Sequence, residues 1–376
     1  MTHSRSHRTR PSMPLMRLPP DVQLHILRNM DIHTLHTAIN AIPYAKALYL
    51  RYPVTILQGA TAAMGLQIRN LMMTTYGIIH RVNSGFSAYS NETLNDMSTF
   101  LASRLDTDGP RDMFSFESNG LRVIEALCKL DAEISCHVEA YAFDAYSRAC
   151  HHDNPGVAPP PLIISSIERH RITRAFYQLK LFGVLFYNYA DRHRIDLQAS
   201  YSAFFDRLST FEVDEITTAY QYLLREGQFF ISAYPHNNCS YVPVKPYRGC
   251  LDPFNCETCR GRCLGPSNPL SPWWRGVQPF WHGLICKYVD PVGLWAEPAY
   301  CRQTPIKIWD DMQRTNKPNA GWLLWCDYRE LPEIERDTYV REFRNLGYCF
   351  WDRVRLEGWG MFEASWKPQV EPCSFE

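Results

Sequence analysis

Apolar residues recur at intervals of three and four positions through much of the chain between residues 60 and 234. Because an α-helix turns once in about 3.6 residues, this spacing places the apolar side chains on one helical face. The stretches with this pattern are 66–79, 121–146, 172–190, 201–208 and 213–231. Prolines within 153–161 interrupt it and predict an exposed loop there. The spacing therefore predicts an all-helical middle domain at 60–234.

Proline positions divide the rest of the chain. Residues 15–59 carry prolines near their start, middle and end, which leaves room for three short helices. From residue 235 onward, Pro, Gly, Trp and Cys replace the helical spacing, apart from a last helical pattern at 333–346 that Gly347 is expected to end. We therefore predict a mainly α fold, in which short strands are left open as an alternative for part of the C-terminal region. Its parts are a three-helix unit at 15–59, the helical domain at 60–234 and an irregular Cys/Pro/Trp-rich region with some helix at 235–376.

The charge balance argues against a partner that is a polyanion. The 376 residues include 39 Lys and Arg and 39 Asp and Glu, so no overall field attracts the chain to nucleic acid or to a membrane surface. The basic stretch 1–14 lacks the apolar block of a secretory signal and is expected to be a disordered tail, with a nuclear-import or nucleic-acid patch as the alternative. The longest apolar stretch, 179–190, is too short to span a bilayer. Thirteen cysteines, an odd number, suit reduced thiols and an intracellular protein of the cytoplasm or nucleus.

An extended proline pair opens the N-terminal unit. It stands in Leu18-Pro19-Pro20-Asp21-Val22, and an amphipathic helical pattern follows, with Val22, Ile26, Leu27 and Met30 on its apolar face. Further short apolar runs lie at 35–42 and 48–53. A unit of this size buries little surface alone, so it depends on contacts with neighbouring helices or with partners.

These N-terminal residues resemble the F-box, whose usual pattern is Leu-Pro, an acidic residue, an aliphatic run and a leucine further on. The residues in matching places are Leu18, Pro19, Asp21, Val22, Leu24, Ile26, Leu27 and Leu35. In particular, the segment looks like the degenerate F-box of many fungal proteins, in which a proline-containing third segment, here 42–49, replaces the usual Ser-Arg and Trp positions. The stretch 346–356 also looks like the ends of such fungal proteins.

The resemblance implies a substrate-recognition subunit of an SCF-type ubiquitin ligase. Such a protein binds a Skp-type adaptor with its N-terminal helices and an unknown protein substrate with the rest of the chain. The implied adaptor surface is apolar and exposed, and its residues are Leu18, Pro19, Val22, Ile26, Leu27 and Leu35. The alternative is that the same residues pack on the chain's own helical domain.

A cysteine cluster in the C-terminal region is the clearest candidate metal site. Zinc takes four soft ligands in a tetrahedral arrangement, and a Cys-x-x-Cys spacing lets one turn present two thiolates. The candidate ligands are Cys250, Cys256, Cys259 and Cys263. A competing set combines His236 and Cys239 with Cys256 and Cys259. Reduced thiols in a loop, made more acidic by nearby arginines, are the alternative to both.

Catalytic signatures are missing from the sequence. It contains no phosphate-binding loop, dinucleotide-binding glycine motif, His-Glu-x-x-His or Gly-x-Ser-x-Gly. His151-His152-Asp153 is interpreted as a polar surface turn, and 106–109 as a turn rather than a calcium loop. The sequence thus favours a protein that binds other proteins and is not an enzyme. The alternatives are a structural or interaction protein whose N-terminal helices are core, and a zinc-stabilised binding protein.

Overall fold

The computed structural model describes residues 17–83, 97–106, 120–153, 159–186, 203–205, 207–233, 319–328 and 342–363. These residues are mostly helical and include no β-strand, which confirms the prediction of a mainly α fold. The helices are α1 Pro20–Arg28, α2 Ile32–Ala41, α3 Pro43–Arg51, α4 Pro53–Ala60, α5 Leu66–Asn83, α6 Met97–Leu105, α7 Gly120–Asp153, α8 Ser166–Phe186, α9 Thr210–Ala233, α10 Ala320–Tyr328 and α11 Arg353–Gly358.

The N-terminal unit has four short helices, so the prediction of three is wrong. Pro20, Pro43 and Pro53 each stand in the first turn of a helix, in α1, α3 and α4. Proline suits that position because its missing N–H would have no partner there and its φ angle is already helical. The sequence predicts that Pro53 ends a third segment, whereas in the structure Pro53 begins a fourth helix.

Polar side chains cap several of these helices. The Asp31 carboxylate accepts from the backbone N–H of His33 and of Thr34 at the start of α2. The helices α8 and α9 begin with reciprocal pairs, Ser165 with Glu168 and Ser209 with Glu212, in which each side chain bonds the other residue's backbone N–H. Such pairs satisfy amide groups that the first helical turn leaves open.

The helices pack around α8 and share one continuous hydrophobic core. α8 contacts α5, α7 and α9, and the buried side chains of all four helices belong to the same cluster. The N-terminal helices join this cluster, because α2 and α3 pack against α7. Tyr49 of α3 is fully buried, and its hydroxyl donates to the carbonyl of Gly120 over 2.8 Å. The N-terminal unit therefore rests on the middle helices with buried contacts.

Residues 342–363 fold back onto the same core. The helical residues 342–345 end at Gly347, which has a φ of +70°, as its predicted role of a C-terminal stop requires. The amide of Gly347 bonds the Arg344 carbonyl at 3.0 Å, and that of Tyr348 bonds the Phe343 carbonyl at 3.1 Å. This double closure is the Schellman motif of helix ends. Trp351 follows it, fully buried, with Nε1 donating to the Leu346 carbonyl.

Gly347→Ala is expected to lower the free energy of unfolding by about 2–4 kcal/mol. A Cβ there would lie 2.6 Å from the Tyr141 hydroxyl, and the positive φ would strain any L side chain. Urea unfolding followed by circular dichroism measures the change. Gly358→Ala is the matched control, because a Cβ at Gly358 meets no atom within 4 Å. Equal stability of both variants would contradict the packing described here.

Candidate interaction surface

The residues of the implied adaptor surface are divided between the outside and the core. Leu18 is 37% exposed and Val22 42% exposed, and Pro19 is exposed as well. Ile26 is half-buried. These four residues form an aliphatic strip along α1 and the turn before it, which we name the α1 surface.

The expectation that Leu27 and Leu35 form part of an exposed surface is wrong. Both side chains have 0% exposure and belong to the hydrophobic core. Leu27 stands four residues after the buried Gln23, so the two mark the inward face of α1. Leu35 lies on α2, which packs between α3 and α7. Both leucines are core residues and are not part of the α1 surface.

The turn that carries Leu18 is held by defined hydrogen bonds. Gln23 donates from Nε2 to the Leu18 carbonyl over 2.6 Å. The Pro19 carbonyl accepts from the amides of Val22 and Gln23 at 3.0 and 3.1 Å. Pro19 itself is extended, with φ −55° and ψ 145°. These bonds order the backbone that carries Leu18 and Val22 at the start of α1.

A polar chain of three residues joins α2 to the middle helices. His33 Nε2 lies 2.9 Å from Asp131 Oδ2, and the Tyr177 hydroxyl donates to Asp131 Oδ1 over 2.9 Å. Burial, together with the nearby Asp131 carboxylate, raises the pKa of Tyr177 well above its ordinary value. No spacing pattern could predict this contact, since His33 and Asp131 are 98 positions apart. It fixes the N-terminal unit on α7 and α8.

A second polar cluster is enclosed between α8, α9 and residues 342–363. Arg174 lies between Glu212 and Glu215, and Asp214 accepts from Arg344 and from the Tyr348 hydroxyl. Each of these side chains is less than a tenth exposed. Charges taken out of water in this way need partners, and here each has one. The arrangement ties the C-terminal segment to the helices and leaves these groups enclosed.

The predicted zinc ligands Cys250, Cys256, Cys259 and Cys263 lie outside the described residues, as do His236 and Cys239. Within the part of the chain that the structure describes, no three His, Cys, Asp or Glu side chains are grouped so as to hold a metal ion.

The predicted surface turn at His151-His152-Asp153 is wrong, because these residues form the last turn of α7. The helix that the spacing of residues 121–146 predicts thus continues to Asp153. Asp106 directly follows α6, and 107–109 lie outside the described residues.

Comparison with protein-family models, with curated proteins and with solved structures found no match to this chain. Among the described residues, no helix has the length and apolar character needed to cross a membrane.

His137 makes the stability of this fold depend on pH. Desolvation lowers its pKa from 6.5 to about 4, and its ring stacks on Phe176 with 5.8 Å between the ring centres. The unfolded chain binds this proton at a higher pH than the folded chain does. The contribution of the neutral His137 to the free energy of unfolding is therefore fully present above pH 6.5 and is lost as the pH drops toward 4.

His137→Phe removes this titrating group. Between pH 6.5 and pH 4 the variant is expected to lose about 1–3 kcal/mol less of its free energy of unfolding than the wild type does. Urea unfolding at a series of pH values measures it as a flatter profile than that of the wild type. His25→Gln, at an exposed histidine on α1, serves as the control and keeps the wild-type profile. Parallel profiles for His137→Phe and the wild type would show that this residue does not cause the effect.

Proposed function

We propose that this chain is an F-box-like protein, a substrate-recognition subunit of an SCF-type ubiquitin ligase in the cytoplasm or nucleus. In this proposal the α1 surface binds a Skp-type adaptor, and the rest of the chain binds a protein substrate. The chain performs no covalent chemistry itself. It raises the effective concentration of the substrate beside the ligase.

The exposure of the α1 surface is the observation that supports this proposal. Leu18, Pro19 and Val22 occupy places of the F-box pattern and are exposed to solvent. The inward face of α1 is already buried, so the core does not require aliphatic residues on its outward face. Exposed apolar side chains that cluster in this way are typical of binding surfaces.

The hydrogen bonds around Leu18 add a second reason. A backbone segment that is already ordered loses less conformational entropy on binding than a mobile one. Gln23 is almost fully buried and holds the Leu18 carbonyl from inside the protein. Leu27, in the last turn of α1, has no exposure to solvent and belongs to the core. A partner would thus bind apolar residues on an ordered backbone, which suits a recognition site with few anchors.

One observation favours the alternative, a structural or interaction protein whose N-terminal helices are core. Leu27, Leu35 and Tyr49 lie in the same hydrophobic cluster as the middle helices. Those contacts explain why the inward faces of α1, α2 and α3 are apolar without any partner. They do not explain the outward aliphatic residues Leu18 and Val22, and a direct binding experiment separates the two functions.

Recovery of a purified Skp-type adaptor with the tagged full-length chain tests the proposal. Leu18→Arg with Val22→Arg is expected to reduce recovery about ten-fold or more, because charged side chains would enter an apolar interface. Val354→Arg is the matched control, since Val354 is 80% exposed on α11, and it is expected to bind as the wild type does. Circular dichroism checks that all three fold. Adaptor recovered equally by both variants, or by no form of the chain, would end this proposal.

The zinc-stabilised alternative has its own test. Metal analysis of the purified chain is expected to find one zinc per molecule that Cys256→Ser removes, while Cys136→Ser, at an exposed cysteine of α7, keeps it. Thermal unfolding of Cys256→Ser at a lower temperature than the control would follow, because zinc binding contributes to folding. A folded wild-type chain free of metal would contradict the zinc site.

A further inference from the structure

A second group of exposed side chains lies where α3 meets α4. We name it the α3–α4 corner, and its residues are Lys46, Leu50, Arg51, Tyr52 and Val54. Leu50 is 54% exposed, Tyr52 37% and Val54 40%. Tyr52 separates the two helices with φ −131° and ψ 49°, so the chain changes direction there. Three large apolar side chains therefore stand within five consecutive positions on the outside of one bend.

The inward faces of α3 and α4 are already packed in the core. Ala45, Leu48 and Tyr49 of α3 are buried, as are Ile56 and Leu57 of α4. Turning the corner residues inward would require moving that set out of the core, at the cost of well-packed apolar surface. The corner residues therefore remain on the outer face of the bend.

The corner lies in a segment without negative charge. No Asp or Glu occurs from residue 32 to residue 83, although the chain as a whole has 39 acidic residues against 39 basic ones. Lys46 and Arg51 are both exposed. Arg51 lies over the Tyr52 ring, with 5.3 Å from its guanidinium carbon to the ring centre. A cation held on an aromatic ring beside apolar residues is a common feature of protein interfaces.

Several exposed cations elsewhere in the described part of the chain have carboxylate partners. Lys129 lies 2.7 Å from Glu125, Arg148 lies 3.1 Å from Asp144, and Arg353 lies 2.6 Å from Glu357. Within the described residues, Lys46 and Arg51 have no such partner. The α3–α4 corner therefore presents uncompensated positive charge around an apolar centre.

We propose that the α3–α4 corner binds an acidic protein segment that carries an aliphatic or aromatic anchor. The anchor covers Leu50, Tyr52 and Val54, and carboxylates on either side of it pair with Lys46 and Arg51. The corner shares no residue with the α1 surface, although α4 packs against α1, and the proposal does not rest on adaptor binding.

The number of charges favours a protein segment over other anions. DNA-binding surfaces typically neutralise about six to ten phosphates, and anionic membranes attract clusters of about four to eight basic residues. Two cations at the corner are too few for either role. They suit a short peptide, in which two carboxylates set the register of one apolar anchor.

Selection of random 12-residue peptides on the immobilised full-length chain tests the proposal. Enriched peptides are expected to contain one aromatic or leucine anchor with Asp or Glu on both sides. Fluorescence anisotropy of a labelled enriched peptide should show about ten-fold weaker binding to Lys46→Gln with Arg51→Gln, and about ten-fold weaker binding to Leu50→Arg. Arg148→Gln, at an exposed and paired arginine of α7, is the matched control and keeps wild-type affinity.

Three outcomes would overturn this inference. The selection could yield no consensus or a basic one, or the enriched peptides could bind Leu50→Arg as well as they bind the wild type. Duplex DNA or phosphatidylserine vesicles could bind the chain and lose binding in Lys46→Gln with Arg51→Gln, which would identify a different anion. The Leu18→Arg with Val22→Arg variant should bind the peptide normally, so failure of the corner and failure of the adaptor proposal are distinguishable.

Discussion

Two buried glutamates, Glu168 and Glu212, connect local helix formation to the assembly of the whole fold. Each closes the first turn of its own helix by bonding the backbone of the serine three residues earlier. Each also receives an arginine: Arg355 binds both oxygens of Glu168 at 2.8 Å, and Arg174 lies 3.4 Å from Glu212. Burial alone would raise the pKa of Glu168, but the bonds from Arg355 and from backbone amides outweigh it and lower that pKa. The charge on a single residue therefore stabilises a helix start and a contact between distant segments.

The consequence of this arrangement is that the C-terminal segment is part of the helical core. Asp352 links to Ser165 and Arg171, and the Tyr348 hydroxyl bonds Asp214. Ordering a chain end costs about 1–2 kcal/mol of backbone entropy per residue, and enclosed polar contacts with buried aromatic rings offset it here. Tyr141 of α7 contacts the ring of Phe350, with 5.3 Å between the ring centres. The same helix packs against α2 and α3 of the N-terminal unit, so both ends of the described chain contact α7.

The helices were predictable from the sequence because apolar spacing reports them. α5, α7 and α9 cover the predicted stretches 66–79, 121–146 and 213–231, and α8 covers residues 172–186 of another. The stretch 201–208 is helical only at 203–205 among its described residues. The exposure of single residues was harder. Leu27 and Leu35 match the F-box pattern as well as Leu18 does, yet only the packing of α1 on α4 and of α2 on α3 and α7 shows which of them face inward. The buried ion pairs were not predicted, because a charge on a helix ordinarily indicates solvent. The Ser-x-x-Glu spacing at Ser165 and Ser209 is a capping signal that could have been found in the sequence.

The N-terminal unit can contribute to the core and present a binding surface at the same time. A short helix has two faces, and in α1 the side that carries Leu27 is buried while Val22 on the other side is exposed. The same division holds for α3, where Tyr49 is buried and Leu50 is exposed. The inward contacts, including His33 with Asp131, keep the unit rigid on α7. That rigidity favours binding at the outward residues, because a partner then meets helices whose backbone is already ordered.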